Sequence, residues 1–212
     1  MDINKAVLLV DMDGTLIDSD EAQRRSWTTW ATSHQLDPGL FLEAQGWTAR
    51  EKITHFAPWL DIEMETRAIA TMEAGEKAGI APLPGASRLW KSTRRFAVVT
   101  SADRRLARVR LQVAGLTVDR PETIITADDV SRGKPDPEPY LLAARRVGAD
   151  PAQCIVIEDS PAGIESGLAA GMTVVGLTTT LSSDKVAMAN LVMENLDQFL
   201  LAELDTLRKA KL

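Results

Sequence analysis

The sequence predicts an α/β fold, in which helices cover both faces of a parallel sheet and an α-helical subdomain is inserted. Three observations predict it. Short apolar runs alternate with amphipathic stretches, each run is apolar on both of its faces, and one long segment near the start contains no such run. A strand followed by a helix, repeated along the chain, is typical of a parallel sheet that helices cover.

Five apolar runs are predicted to be buried strands. In chain order they are AVLLVD (6–11), FAVVTS (96–101), TIITA (123–127), CIVIED (154–159) and MTVVGL (172–177). Asp11, Ser101 and Asp159 each end one of these runs. In parallel α/β folds the ligand lies beyond the carboxyl ends of the strands, so we expect these three side chains near a ligand site.

Residues 18–83 differ from the rest of the chain, because they hold four of the five tryptophans and helical spacing but no strand-like run. The helical stretches lie around 20–35, 48–57 and 61–79. We therefore expect an inserted helical cap over 18–83, standing above the strand ends. A Rossmann-like core is expected from 1–17 and 84–212, and the tryptophans are expected to form the core of the cap.

Composition argues against several classes of protein. A net charge of −6 gives no basic footprint, so we expect neither nucleic acid nor an anionic membrane as a partner. No apolar stretch approaches the ~20 residues of a membrane span, and the first ten residues lack a signal-peptide pattern. A monomeric, cytoplasmic protein is expected.

His34 and His55 are the only histidines, which argues against a histidine-rich zinc site or a Ser-His-Asp triad. The one cysteine, Cys154, is expected to be a small apolar strand residue.

Two acidic pairs stand at strand ends. Asp11 and Asp13 are two residues apart in DMDGTL, and in extended backbone such residues point the same way. Gly14 permits a tight turn after them. Crowded carboxylates need a shared proton or a cation, and Mg²⁺ is the cation that best fits oxygen ligands. Glu158 and Asp159, at the end of CIVIED, could complete its ligand set.

A lysine and a hydroxyl accompany the acids. Lys134 lies in the proline-rich loop RGKPDPEPY, and Ser101 ends FAVVTS just before a predicted helix. An ammonium and a helix N-terminus both favour bound phosphate. Acid pairs, a lysine and a hydroxyl suit phosphoryl transfer, in which positioning and charge neutralisation do most of the catalysis.

These segments resemble, in order and spacing, the four motifs of the haloacid dehalogenase-like superfamily. The matching stretches are DMDGT, VVTSA, GKPDPEPY and VIEDSPAGIESGLAAGM. The helical insert resembles the type 1 cap of that superfamily. The return LPGA, with RGKPDP and EDSPAG, is most similar to the phosphatases of small sugar phosphates and glycerol phosphate.

The resemblance implies a role for each matching residue. Asp11 would be the nucleophile that forms an aspartyl-phosphate, and Asp13 the acid that protonates the leaving alcohol and later activates water. Mg²⁺ would be held by the Asp11 side chain, the Asp13 carbonyl and Asp159, with support from Glu158. Ser101 and Lys134 would bind phosphoryl oxygens, and Lys134 would also keep Asp11 ionised.

One stretch departs from the superfamily. Many relatives carry a histidine before the cap glycine and a basic residue shortly after it, whereas this chain reads AQGWTAREK. Gln45 and Arg50 are the candidates for substrate contacts from the cap; a solvated Arg50 on a helix surface is the alternative.

The resulting hypothesis is a Mg²⁺-dependent phosphatase of small phosphorylated sugars or polyols. A first alternative is a phosphosugar mutase of the β-phosphoglucomutase type, although the first motif of those enzymes usually has an apolar β-branched residue where this chain has Thr15. A second alternative is a non-enzymatic phosphoacceptor such as a receiver domain. Receivers, however, lack the long insert and place their phosphorylated aspartate after a later strand.

Overall fold

The structure, a computed structural model, describes the backbone of residues 6–209 and the side chains of residues 6–202. Its strands are β1 (Val7–Val10), β2 (Ile17–Asp18), β3 (Ala81–Pro82), β4 (Phe96–Val99), β5 (Ile124–Ile125), β6 (Cys154–Glu158), β7 (Thr173–Leu177) and β8 (Leu191–Met193). Six of them form a parallel sheet in the order β5-β4-β1-β6-β7-β8. The predicted parallel sheet is confirmed, with one further strand. β8 was not predicted, and unlike the predicted strands its three residues are exposed or half-buried.

Helices cover both faces of this sheet. The helices of the described residues are α1 (Asp20–Ser33), α2 (Pro38–Glu43), α3 (Ala49–Phe56), α4 (Ile62–Gly75), α5 (Ala86–Lys91), α6 (Arg104–Val113), α7 (Glu138–Arg146), α8 (Pro161–Ala169) and α9 (Leu196–Lys209), of which α5 to α9 pack on the sheet. Successive side chains of β1 point to opposite faces. Leu8 and Val10 pack in one apolar cluster with residues of α5, α6 and α9, and Val7 and Leu9 in another with residues of α7 and α8. The sheet is therefore buried from both sides, which explains why its strands are apolar throughout.

Helices α1 to α4 follow one another between β2 and β3, and are called the helical segment below. Trp27, Trp30 and Phe41 form the centre of their own apolar cluster, as predicted for the first two. Trp59 does not belong to that core, because it is 69% exposed. β2 and β3 pair antiparallel, so the chain leaves the sheet and returns to it at one place. Within residues 6–209, no helix has the length and apolar character needed to cross a membrane.

Candidate active site

Asp11 directly follows β1, at the centre of the carboxyl edge of the sheet. Its backbone N–H donates to the carbonyl of Ile157 at 3.0 Å, which continues the pairing of β1 with β6 by one residue. The residue is only 7% exposed. The carboxylate is therefore held between neighbouring strands, as the strand-end rule predicted for this position.

Lys134 is almost fully buried, and its ammonium joins the ends of three adjacent strands. Nζ donates to Asp11 Oδ1 at 2.6 Å, to Glu158 Oε1 at 2.6 Å and to the Val99 carbonyl at 3.0 Å. These contacts use all three N–H groups of the ammonium. Burial opposes the charge of Lys134, but the carboxylates of Asp11 and Glu158 raise its pKa above the ordinary value. Lys134 thus carries a permanent positive charge beside Asp11.

Glu158 is fully buried and accepts five hydrogen bonds. Oε1 accepts from Lys134 and, at 2.8 Å, from the hydroxyl of Tyr140. Oε2 accepts from the backbone N–H groups of the next two residues at 3.1 Å each and from the Ser160 hydroxyl at 3.0 Å. A Cβ at position 163 would lie 1.8 Å from Oε1, so only glycine lets α8 approach this carboxylate. Glu158 is thereby fixed in orientation and in turn fixes Lys134.

Asp159 follows Glu158, and two threonine hydroxyls contact its carboxylate. Thr15 donates to Oδ1 at 3.2 Å, and Thr180 donates to Oδ2. Gly14 has a φ of 83°, and a Cβ there would lie 2.2 Å from Asp159 Oδ2. The glycine of the first motif is therefore needed both for the turn and for the close packing of that turn against Asp159.

Asp11, Glu158 and Asp159 form a buried carboxylate cluster, in which one oxygen of each lies within 4.8 Å of the others. Burial, followed by the charge of Glu158, raises the pKa of Asp11 well above its usual range. The same two causes raise the pKa of Asp159 to about 7. The three carboxylates carry more negative charge than the single ammonium of Lys134 can neutralise. All the atoms they offer to a metal ion are oxygens. A hard divalent cation such as Mg²⁺ fits this donor set.

The carboxylate of Asp13 lines the same cavity but is held apart from the cluster. Oδ1 accepts from the Ser19 hydroxyl at 2.6 Å, and Oδ2 accepts from Arg110 Nη1 at 2.8 Å. β1 ends at Val10, and the chain then turns. Asp11 and Asp13 nevertheless line the same cavity, each with its own hydrogen-bond partners.

Arg110 connects Asp13 to the helical segment. It lies on α6, is 2% exposed, and donates through Nη2 to Glu73 Oε1 of α4 at 3.0 Å. Burial opposes the charge of Arg110, but Asp13 and Glu73 raise its pKa above the ordinary value. A single guanidinium thus binds one carboxylate at the sheet edge and one on the helical segment.

Two further contacts bring the helical segment onto the predicted motifs. Ser101 donates from Oγ to the Gly46 carbonyl at 2.5 Å. The N–H of Gly133, next to Lys134, donates to Glu51 Oε1 at 2.8 Å. The other oxygen of Glu51 accepts from the Thr48 N–H at 2.9 Å and so caps α3. The start of α3 is therefore tied to the Lys134 loop.

A cavity of about 1260 Å³ lies between the sheet edge and the helical segment. Asp11, Asp13, Ser101 and Asp159 line it from the sheet side. The predicted cap residues Gln45 and Arg50 line it from the other side. Arg50 forms an ion pair with Glu63, and its side chain is 52% exposed. Gln45 Oε1 is buried and has no hydrogen-bond partner within the described residues.

Several contacts at this site were not predicted from the sequence. They involve Thr15, Lys52, Glu73, Arg110, Tyr140 and Thr180. Thr180 follows β7 by three residues, so the strand-end rule could have found it. Lys52, Glu73 and Arg110 lie in amphipathic helices, where charged residues are normally solvated. Their burial follows from packing between helices.

Known proteins resemble this chain over most of its length. Residues 5–171 match the family model of haloacid dehalogenase-like hydrolases. Hexitol phosphatase A of Escherichia coli (strain K12) is 40% identical over 198 residues, which cover 90% of this chain and 91% of that protein. Validoxylamine A 7'-phosphate phosphatase of Streptomyces hygroscopicus subsp. limoneus is 34% identical over 202 residues, which cover 91% and 94%. A solved hydrolase from Pseudomonas syringae superposes with a TM-score of 0.84 at 25% identity, covering 95% of this chain and 98% of that one.

The chain belongs to the haloacid dehalogenase-like hydrolases, which confirms the resemblance seen in its motifs. Within that family it is a phosphatase. The receiver-domain alternative is therefore not supported, because the matching family model is one of hydrolases and the relatives named above are phosphatases.

Proposed function

We propose that the enzyme hydrolyses phosphomonoesters of small sugars or polyols, with Mg²⁺ as cofactor and an aspartyl-phosphate on Asp11 as intermediate. The observation that carries this proposal is that only one of the two oxygens of the Asp11 carboxylate is hydrogen-bonded. Lys134 binds Oδ1, whereas Oδ2 has no donor within the described residues, and the residue lines the cavity. The hexitol phosphatase that is 40% identical supports a sugar or polyol phosphate as the substrate.

In the first step, Asp11 Oδ2 attacks phosphorus while the bond from phosphorus to the alcohol oxygen breaks. Asp13 donates a proton to that oxygen, so the alcohol leaves neutral and the phosphoryl group stays on Asp11. Lys134 orients Asp11 and offsets its charge, which lets an anion approach an anionic phosphate. We propose that the hydroxyl of Ser101 binds a phosphoryl oxygen during this step.

In the second step, water attacks the aspartyl-phosphate. Asp13 takes a proton from the water, the new oxygen–phosphorus bond forms, and the bond from phosphorus to Asp11 Oδ2 breaks. Inorganic phosphate and the Asp11 carboxylate result. Ser19 and Arg110 hold the Asp13 carboxylate in place for this exchange.

The residues proposed to hold Mg²⁺ are the Asp11 side chain, the Asp13 carbonyl and Asp159, with Glu158 positioning its neighbours. When bound, Mg²⁺ would supply the positive charge that the carboxylate cluster lacks and would neutralise phosphoryl oxygens.

We propose that residues 18–83 act as a cap on a core formed by 1–17 and 84–212, of which residues 1–5 and 210–212 lie outside the described residues. Contacts of Ser101, Gly133 and Arg110 with the helical segment support a closed position, in which the cap covers the strand ends. The monomeric state and the cytoplasmic location expected from the sequence stay predictions.

A phosphate-release screen tests the proposed function. Glycerol 3-phosphate, hexitol 6-phosphates, hexose 6-phosphates and β-glucose 1-phosphate are offered with Mg²⁺ and with a chelator, to the wild type and to Asp11→Asn. We expect Mg²⁺-dependent release from sugar or polyol phosphates by the wild type only. Conversion of β-glucose 1-phosphate to glucose 6-phosphate without phosphate release would instead identify a mutase.

A further inference from the structure

Three polar side chains of the helical segment line the cavity without a partner for their polar atoms. Gln45 follows α2, Lys52 lies on α3 and Thr66 lies on α4. Gln45 Oε1 and Thr66 Oγ1 are buried and form no hydrogen bond with any described residue. Lys52 is 6% exposed, and the contact of its ammonium within residues 6–202 is with the ring of Trp27 rather than with an acceptor or carboxylate.

Such groups are rare in folded proteins, because a buried polar atom that has lost its water and found no partner is destabilising. The two unpartnered oxygens of Gln45 and Thr66 and the nearby ammonium of Lys52 lie on three different parts of the helical segment, all at one cavity, and do not serve the stability of that segment. Their shared position is explained if a ligand in the cavity supplies the missing partners.

The surroundings of Lys52 indicate what kind of ligand this is. Its Nζ lies 4.9 Å from the ring centroid of Trp27, and this contact holds the ammonium without consuming a conventional acceptor. Burial lowers the pKa of Lys52 to about 8, with Glu73 and Asp13 acting against that shift and Arg110 adding to it. The positive charges of Lys52 and Arg110 are matched by the two carboxylates. A neutral oxygen therefore suits this place better than a second anion.

A hydroxyl group satisfies all three side chains, because it both accepts and donates hydrogen bonds. An ammonium can only donate, a carbonyl oxygen such as Gln45 Oε1 can only accept, and the hydroxyl of Thr66 can do either. Arg50 differs from these three, since Glu63 already pairs with it.

We infer that Lys52, Gln45 and Thr66 form a subsite for the hydroxyl groups of the alcohol half of the substrate. The inference rests on the proposed function and deepens it: the subsite selects polyhydroxylated leaving groups over alkyl ones. An alkyl leaving group is disfavoured because it cannot form hydrogen bonds with these three side chains, which then stay without partners in the complex.

The test compares substrates that differ only in hydroxyl groups. Glycerol 3-phosphate is paired with propyl phosphate, and sorbitol 6-phosphate with n-hexyl phosphate. We expect wild-type kcat/KM to favour the hydroxylated member of a pair by at least roughly 100-fold. Lys52→Met should reduce this preference by on the order of 10- to 100-fold, and Thr66→Val by about 10-fold. Activity on the alkyl phosphates should change less than about 3-fold.

The matched control is Lys77→Met, the same substitution at an exposed position next to α4. It should leave the preference unchanged. An equal fall on both members of a pair or a preserved preference in Lys52→Met would each overturn the subsite. Absence of wild-type activity on every sugar and polyol phosphate, with turnover of p-nitrophenyl phosphate, would overturn the proposed substrate class and the subsite with it.

Discussion

Arg110 Nη1 lies 2.8 Å from Asp13 Oδ2, so the proposed acid and base of the reaction is held by a buried guanidinium from α6. The second arm of the same guanidinium reaches Glu73 of the helical segment at 3.0 Å. The position of Asp13 therefore depends on how the helical segment sits on the sheet. This arrangement gives the cap a direct physical connection to the chemistry, beyond the exclusion of water.

Arg110→Lys should lower kcat without a comparable change in KM, because lysine keeps the charge but cannot bind two carboxylates in the fixed geometry of arginine. A fall of about 10- to 100-fold is expected, measured with p-nitrophenyl phosphate, whose leaving group has no hydroxyls for the cap to bind. Arg145→Lys, at an exposed position of α7, is the control. Wild-type kcat in Arg110→Lys would show that Asp13 is positioned without Arg110.

Asp11→Asn should abolish turnover, by at least about 10⁴-fold, while the protein stays folded. The fold should tolerate the change because burial and Glu158 raise the pKa of Asp11, which means that the folded protein disfavours a negative charge at this position. Phosphate release and urea unfolding measure the two effects. Substantial residual turnover would place the nucleophile elsewhere.

Asp13→Asn should instead slow breakdown of the aspartyl-phosphate, since the amide cannot take a proton from water. Rapid acid quench after incubation with labelled substrate should show phospho-enzyme accumulating on the protein. Unchanged steady-state kinetics would remove Asp13 from the acid–base role.

Lys134→Met should destabilise the fold by about 3–5 kcal/mol, because it leaves Asp11 and Glu158 buried without their cation. The loss should appear in the free energy of unfolding by urea, and added Mg²⁺ should restore part of it if the cation binds the same carboxylates. Lys185→Met, at an exposed position, controls for the substitution itself. A stability equal to the wild type would contradict the structural role of this ammonium.

Asp129 should make stability depend on pH. Burial acts against its charge, but hydrogen bonds from Thr126 and Arg146 lower the pKa of Asp129 to about 2. Because the folded pKa lies below the unfolded value, the stabilisation is present at neutral pH and is lost as pH falls through about 4 toward 2. Asp129→Asn should therefore cost about 1–2 kcal/mol at pH 7 and progressively less in acid. Unfolding free energies of both proteins at pH 7, 4 and 3 check this; a difference that does not shrink would contradict it.

The order of residues along the sequence was sufficient to predict the sheet and the acidic residues at its carboxyl edge. The strands are short runs of apolar residues, and Asp11 and Asp159 each come directly after one of them, so the strand-end rule alone predicts that these two residues meet. Both properties are local, because they depend on residues adjacent in the chain.

The sequence by itself determined the family, the parallel sheet and the carboxylates and lysine of the site, because neighbouring residues define strands and the ends of strands converge. Only the tertiary structure decided that Arg110 binds both Asp13 and Glu73, and that Lys52, Gln45 and Thr66 line one cavity. Arg110 and Glu73 are 37 residues apart and lie on helices whose charged residues look solvated in the sequence. Their burial depends on the packing of α4 against α6, which no short stretch of the chain encodes.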